Sequence, residues 1–169
     1  MVVISAGVAL VRPGDGTGWE LLVVHPGGPY WAGKDEHAWS IPKGEVEDGP
    51  DLEPTEARLE ATARREFAEE LGHPAPDVMG TVLPRLRIGS GKYLVAFLAA
   101  GDLDPTTISS ETVEIAWPPR SGRTITIPEV DAAAWVTLDE ARTRLHKGQV
   151  PLVDLVAAAL ADRPPTPGA

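Results

Sequence analysis

Apolar residues at Val2, Ile4, Ala6, Val8 and Leu10 alternate with their neighbours, which is the two-residue period of a strand. Gly14-Asp15-Gly16-Thr17-Gly18 is a turn signal and Trp19 to His25 a second strand, so the chain opens on a hairpin. Pro26 to Lys34 is rich in Pro and Gly and reads as a loop. Ala38 to Ile41 reads as a short strand that runs into Pro42-Lys43-Gly44. The pattern then changes: Pro54 stands at the first turn of a helix capped by Gly72, with Ala57, Leu59, Ala61, Ala63, Phe67 and Leu71 as its apolar positions. Strands are expected at about Val78 to Ile88, Tyr93 to Ala99, Val113 to Trp117, Thr124 to Ile127 and Val130 to Val136, with a Pro118 to Arg123 loop between the third and fourth. Thr137 opens a helix over Leu138 to Leu145 with Glu140 three residues on, a capping box. A last helix puts Leu152, Leu155, Val156, Ala159 and Leu160 on one face. With no internal repeat and no linker, residues 1–163 are expected to form a single domain, followed by a disordered Pro-rich tail, 164–169.

Composition narrows the class. At 169 residues and 43% apolar content there is enough chain for one well-packed domain. No apolar run approaches the roughly 20 residues of a membrane span, and the apolar start has neither a basic n-region nor a cleavage signal after it. There is no cysteine, hence no disulfide or thiolate metal site. These features predict a cytoplasmic protein without membrane contact. The formal charge of −10 argues against broad nucleic-acid binding, which rests on Lys and Arg neutralising phosphates. A small anionic partner stays possible if a few basic side chains and metal ions meet its phosphates. Arg85, Arg87, Lys92, Arg120 and Arg123 are candidates for that grip, in competition with ordinary surface roles. Tyr30 and Trp31 have two readings, packing or stacking on a base. His25, His37, His73 and His146 show no ligand spacing and read as incidental.

One stretch stands out. In Arg65-Glu66-Phe67-Ala68-Glu69-Glu70-Leu71-Gly72 three carboxylates fall at i, i+3 and i+4 of the expected helix and share one face. Like charges at that spacing repel, so they are either solvated surface or matched by a cation. A divalent metal is the obvious one.

Gly44 and this octapeptide resemble the Nudix box, in which a Gly, five residues, a Glu and seven residues precede R-E-U-x-E-E-x-G-U, with U apolar. Trp39-Ser40-Ile41-Pro42-Lys43-Gly44 resembles the strand and turn that lead into the box, and Glu129 to Ala141 resembles the closing strand-helix unit. The stretch from Gly44 to Arg65 is longer than the pattern by about seven residues. No acid stands where the first box Glu belongs, at Ala57 or Pro50 depending on the direction of counting, and Glu53, Glu56 or Glu60 are its candidate replacements. His73 stands where an apolar residue is usual.

The resemblance implies an α/β protein, an α/β/α sandwich with a mixed curved sheet, the box helix on one side and the C-terminal helices on the other. It implies Nudix-type pyrophosphohydrolase activity: water attacks a phosphorus of a nucleoside diphosphate linked to another group, with Mg2+ or Mn2+ as cofactor. Dinucleoside polyphosphates and nucleoside triphosphates are the expected substrates, and a catalytically silent sensor of a nucleotide or ADP-ribose is the alternative. By position, Glu66, Glu69, Glu70 and the Lys43 carbonyl are the implied metal ligands. Glu66, Glu70 and Glu114 are the implied catalytic residues, Glu114 being favoured over Glu111 as a base on a later loop. Tyr30, Lys43, Arg87, Lys92 and Arg120 are the implied substrate contacts, and Arg65 braces the loop. The oligomeric state, monomer or homodimer, stays open.

Overall fold

In the computed structural model, which describes residues 1–16, 18–47, 53–77, 79–163 and 165, the elements run in the order β1 (Val3–Pro13), β2 (Trp19–Pro26), β3 (Lys43–Glu45), α1 (Glu56–Leu71), β4 (Leu86–Gly89), β5 (Lys92–Ala100), β6 (Thr112–Ala116), β7 (Thr124–Pro128), β8 (Val130–Thr137), α2 (Leu138–Arg144) and α3 (Leu152–Leu160). β1 is the organising strand. Along one edge it pairs with β5 in parallel, from Val3 opposite Lys92 to Val11 opposite Ala100. Its other edge is shared between two antiparallel partners, β3 at Ser5 to Gly7 and β2 at Val11 to Pro13. β4 lies outside β5 and β8 outside β2, giving the order β4-β5-β1-β2-β8, while β6 and β7 form a separate two-stranded ribbon.

The alternation in β1 sorts residues between two cores, where a simple hairpin would sort them between core and water. Ala6, Val8 and Leu10 face α1 through Leu59, Ala63, Phe67 and Leu71. Ala9 and Val11 face the other way, onto Ala141 and Leu145 at the α2 end and Leu152, Val153, Val156 and Leu160 of α3. Both faces of the sheet are therefore covered, as a parallel β1–β5 pair requires. The expected α/β/α sandwich with a mixed sheet is the observed architecture. No helix among the described residues is long and apolar enough to cross a membrane.

Several boundaries move, each for a physical reason. The strand expected at Ala38 to Ile41 is reduced to isolated bridges, Val24 with Ser40 and Trp39 with Leu145. The ladder forms one step later in β3, past Pro42, whose ring removes a donor. α1 begins at Glu56, because Thr55 takes extended dihedrals and its hydroxyl accepts from the Arg58 N–H. Pro54 thus precedes the helix. Of the strand expected from Val78 to Ile88, only a Val82–Phe97 bridge and β4 form, on either side of Pro84; Val78 itself lies outside the described residues. The tail expected at 164–169 also lies outside them, except Pro165. Gly72 closes α1 as expected, with φ 70° and its N–H on the Ala68 carbonyl.

Gly7 sets how closely the Pro42-Lys43 segment crosses β1. A methyl group at Gly7 would approach the Pro42 carbonyl oxygen to 2.5 Å and the Lys43 Cβ to 2.7 Å, while that carbonyl accepts from the Val8 N–H at 3.0 Å. Backbone lies on both sides, so neither can yield cheaply. Gly7→Ala is expected to lower stability by about 1–3 kcal/mol through overpacking, measured by urea unfolding; an unchanged midpoint would show that the crossing can shift.

Candidate active site

α1 is two-sided. Leu59, Ala63, Phe67 and Leu71 enter the core, which turns Glu66, Glu69 and Glu70 toward β3 and the segments around residues 110 and 129. The last turn of a helix leaves carbonyls without intrahelical partners, and here the incoming chain satisfies them. The Leu71 carbonyl accepts from the Ser109 N–H at 3.0 Å and the Glu69 carbonyl from the Glu111 N–H at 2.8 Å. The Glu111 carbonyl in turn accepts from the Glu129 N–H at 2.9 Å, and the Glu129 carbonyl accepts from the Gly27 N–H at 3.0 Å. Val130 N–H donates to Ser110 Oγ at 3.0 Å. These bonds hold Glu129, the residue between β7 and β8, at the end of α1.

The result is a carboxylate group. Glu66, Glu69 and Glu129 are each half-buried and offer oxygens that all lie within 4.8 Å of one another. The Glu66 carboxylate occupies the space beside Gly44 where any other residue would put its Cβ, so the box glycine is a steric requirement of the acid opposite it. Glu70 lies deeper. Its Oε2 is enclosed and has no hydrogen-bond partner among the described residues. Burial pushes the Glu70 carboxyl up to about 8, opposed by the Lys43 ammonium and the Lys43 backbone N–H and reinforced by Glu66. Burial also raises Glu66, against the pull of Arg65, and raises Glu129, where Glu69 and Glu111 add to it.

Four acids gathered with one enclosed, unpartnered oxygen form a hard, anionic donor set. That chemistry fits a small divalent cation such as Mg2+. Arg65 lies among them, 3.1 Å from Glu66, 3.4 Å from Glu69 and 4.0 Å from Glu47. Among the described residues its partner on the preceding stretch is Glu47. Of the acids expected for that role, Glu53 pairs with Arg85 and Glu60 with Arg64, and Glu56 lies exposed in the first turn of α1. Residues 48–52 of the acidic stretch lie outside the described residues.

Glu114 sits exposed on β6 opposite Thr126 and is no member of the carboxylate group, because strand pairing carries it away along the ribbon while Glu129 stays at the root. Sequence reasoning missed Glu129 except as part of the closing unit; an acid between Pro128 and a strand start was the available signal. Arg120, at the loop joining β6 to β7 with φ 61°, and Arg123 near it have no ion pair among the described residues. Arg87 is on β4, its Nε donating to the Gly89 carbonyl at 3.2 Å.

Lys43 and Lys92 do come together, lining one pocket. Tyr30 is 57% exposed, with the Lys34 ammonium 3.7 Å above its ring, whereas Trp31 packs 5.0 Å from His146. His25 is not incidental: Nδ1 lies 2.8 Å from Asp131 and Nε2 2.7 Å from the Lys34 carbonyl, tying this loop to β8 beside Glu129.

The family follows from this architecture. A model described as NUDIX domain matches residues 1–156, and the chain belongs to that family. Among solved structures it is similar to a C. elegans Ap4A hydrolase binary complex, at 20% identity over 95% of this chain and 99% of that one, with a TM-score of 0.61. The NUDIX domain of Shewanella oneidensis NrtR complexed with ADP ribose is similar at 17% identity over 95% of this chain and 89% of that one, TM-score 0.61. A NUDIX hydrolase from Alicyclobacillus acidocaldarius is similar at 16% identity over 94% of this chain and 92% of that one, TM-score 0.60. Likeness at such identities is one of fold. No curated protein matches the chain significantly.

The raised Glu70 carboxyl has a consequence for stability. Its pKa of about 8 in the folded, metal-free protein lies above the ordinary 4.5, so the folded state holds a proton that the unfolded chain has released. Stability from this group is full below the lower value and is lost as pH rises toward the upper one. In the presence of a chelator the melting temperature is expected to fall between about pH 5 and 8 more steeply in the wild type than in Glu70→Gln. Parallel pH profiles for the two proteins would show that Glu70 ionises normally.

Proposed function

We propose that this NUDIX chain is a divalent-metal-dependent pyrophosphohydrolase acting on nucleoside diphosphate-linked compounds, dinucleoside polyphosphates or nucleoside triphosphates. The observation that carries the proposal is the half-buried group Glu66, Glu69 and Glu129 beside the enclosed Glu70 oxygen. Burying four acids together is unfavourable unless a cation compensates them. An acidic surface patch would keep its carboxylates in water.

In this reading Glu66, Glu69, Glu70 and the Lys43 carbonyl hold the metal, with Glu129 as a further ligand. The bound cation supplies positive charge to the non-bridging oxygens of the diphosphate. Glu66 and Glu129 are the groups that orient a water and accept its proton, since their carboxylates are half-buried where Glu70 Oε2 is enclosed. Lys43 and Lys92 draw the phosphate chain toward the carboxylates. Tyr30, Arg87 and Arg120 are outer contacts for a long substrate, and Arg65 holds Glu66 and Glu69 in place while it reaches Glu47.

The test is turnover over a panel of dinucleoside polyphosphates, nucleoside triphosphates and ADP-ribose with Mg2+, products being separated by chromatography. Glu70→Gln and Glu129→Gln are each expected to lower kcat by a factor of about 100 or more, and Glu114→Gln to leave it within a few-fold. Comparable losses for Glu114→Gln and none for Glu129→Gln would return the base to the ribbon. Tight binding of a nucleotide or ADP-ribose with no product would favour the silent sensor.

A further inference from the structure

On the sheet face opposite α1 lies a pocket of about 260 Å3 whose polar lining comes from Ser5, Lys43, Glu45, Lys92, His146 and Gln149. It adjoins the carboxylate group across a single strand: side chains alternate along β3, so Gly44 lies against Glu66 while Lys43 and Glu45 turn the other way. The volume falls just below the roughly 300–1,000 Å3 of sites for drug-sized ligands, which suits one nucleoside and not two. Neither lysine has an ion pair among the described residues; both line the pocket, and the Lys43 ammonium also acts through space on Glu70 and Glu66.

The hydrogen-bonding state of His146 is dictated by its surroundings. Its Nδ1 lies 3.0 Å from the His37 carbonyl oxygen, which can only accept, so Nδ1 carries the proton. In the neutral ring Nε2 is then a lone-pair acceptor. Burial supports the neutral form by lowering the His146 pKa. The ring is also held in place: the His146 N–H donates to the Trp39 carbonyl at 2.8 Å, its carbonyl accepts from the Gln149 N–H at 2.7 Å, and Trp31 packs on the ring at 5.0 Å. Nε2 has no partner among the described residues and is not sealed from solvent. Gln149 is held by its own bonds, its oxygen accepting from the Ile41 N–H and one N–H of its amide donating to Ser40 Oγ.

We infer that this pocket takes the nucleoside end of the substrate and that His146 Nε2 selects a base presenting an N–H donor, as the amino-bearing purines do. The inference rests on the hydrolase reading for the direction in which the phosphates run, from the pocket past Lys43 to the carboxylates. A fixed acceptor discriminates because a base lacking the donor leaves it unpaired on burial.

The experiment is calorimetric binding, without metal, of AMP, GMP and purine riboside 5′-monophosphate, which has the purine frame but no amino group. The wild type is expected to bind AMP or GMP about five- to tenfold more tightly than the purine riboside compound. His146→Phe, which keeps a ring against Trp31, is expected to bind all three alike. Equal binding by the wild type, no binding at all, or discrimination that survives in His146→Phe would each overturn the inference. Should the variant fail to fold, the 15N shift of His146 Nε2 in the wild type decides: it must move on adding AMP and stay on adding the purine riboside compound. Since no turnover is read, a silent protein that still discriminates would sink the hydrolase reading and leave this one standing.

Discussion

The approach of α1 to β3 at Gly44 is the constraint from which the rest of the site follows. An acid can be held half-buried only where its oxygens find room and partial compensation, and the missing side chain of Gly44 supplies the room for Glu66. Phe67 and Leu71, fully buried on the other side of the same helix, hold it down on the sheet. The apolar half of α1 thus stabilises what its acidic half destabilises. The site's charge repulsion is carried by core packing, and in the proposed reading a bound cation would relieve it.

Three segments far apart in the chain meet at the C-terminal turn of α1. Ser109 and Glu111 satisfy carbonyls that a helix end leaves open, and the chain then departs into the β6–β7 ribbon and returns at Glu129. The ribbon sits outside both hydrophobic clusters, with Ile127 packed against Gly28. His25, bonded to Asp131 and to the Lys34 carbonyl, draws the Tyr30-Trp31 loop toward the same root. Carboxylate group, ribbon and aromatic loop therefore share one foundation on β8.

The two sides of β3 divide the labour. Gly44 faces acids and Lys43 faces a pocket with a second lysine, so negative and positive environments lie one strand apart. That separation lets a polyphosphate chain meet cationic charge on one side while its reacting diphosphate lies against the carboxylates, in accord with the proposed chemistry. The acidic character of the chain as a whole is a property of its surface and says little about this local polarity.

Local patterns were enough for much of this. The period-two run of β1, the apolar runs of β5 and β8, the Gly72 cap, the Thr137 capping box and the i, i+3, i+4 acids of α1 are readable because each depends on neighbours within a few residues. Where Pro42 and Pro84 interrupted a run, the strands shifted or shortened, since a missing donor is felt only when a partner strand is chosen. Glu129 and Glu47 were invisible as site residues for a related reason: their roles arise from partners distant in sequence, reached by the return of the ribbon and by the chain between β3 and α1. His146 read as incidental, yet its tautomer is set by the carbonyl of His37, a contact made only when the end of α2 meets the loop before β3. Sequence determined the family, the fold class and the three acids of one helix face, because periodicity and capping are local. The fourth acid, the partner of Arg65 and the pocket beneath β3 were decided by tertiary structure alone, because burial and hydrogen bonding between distant segments have no local signature.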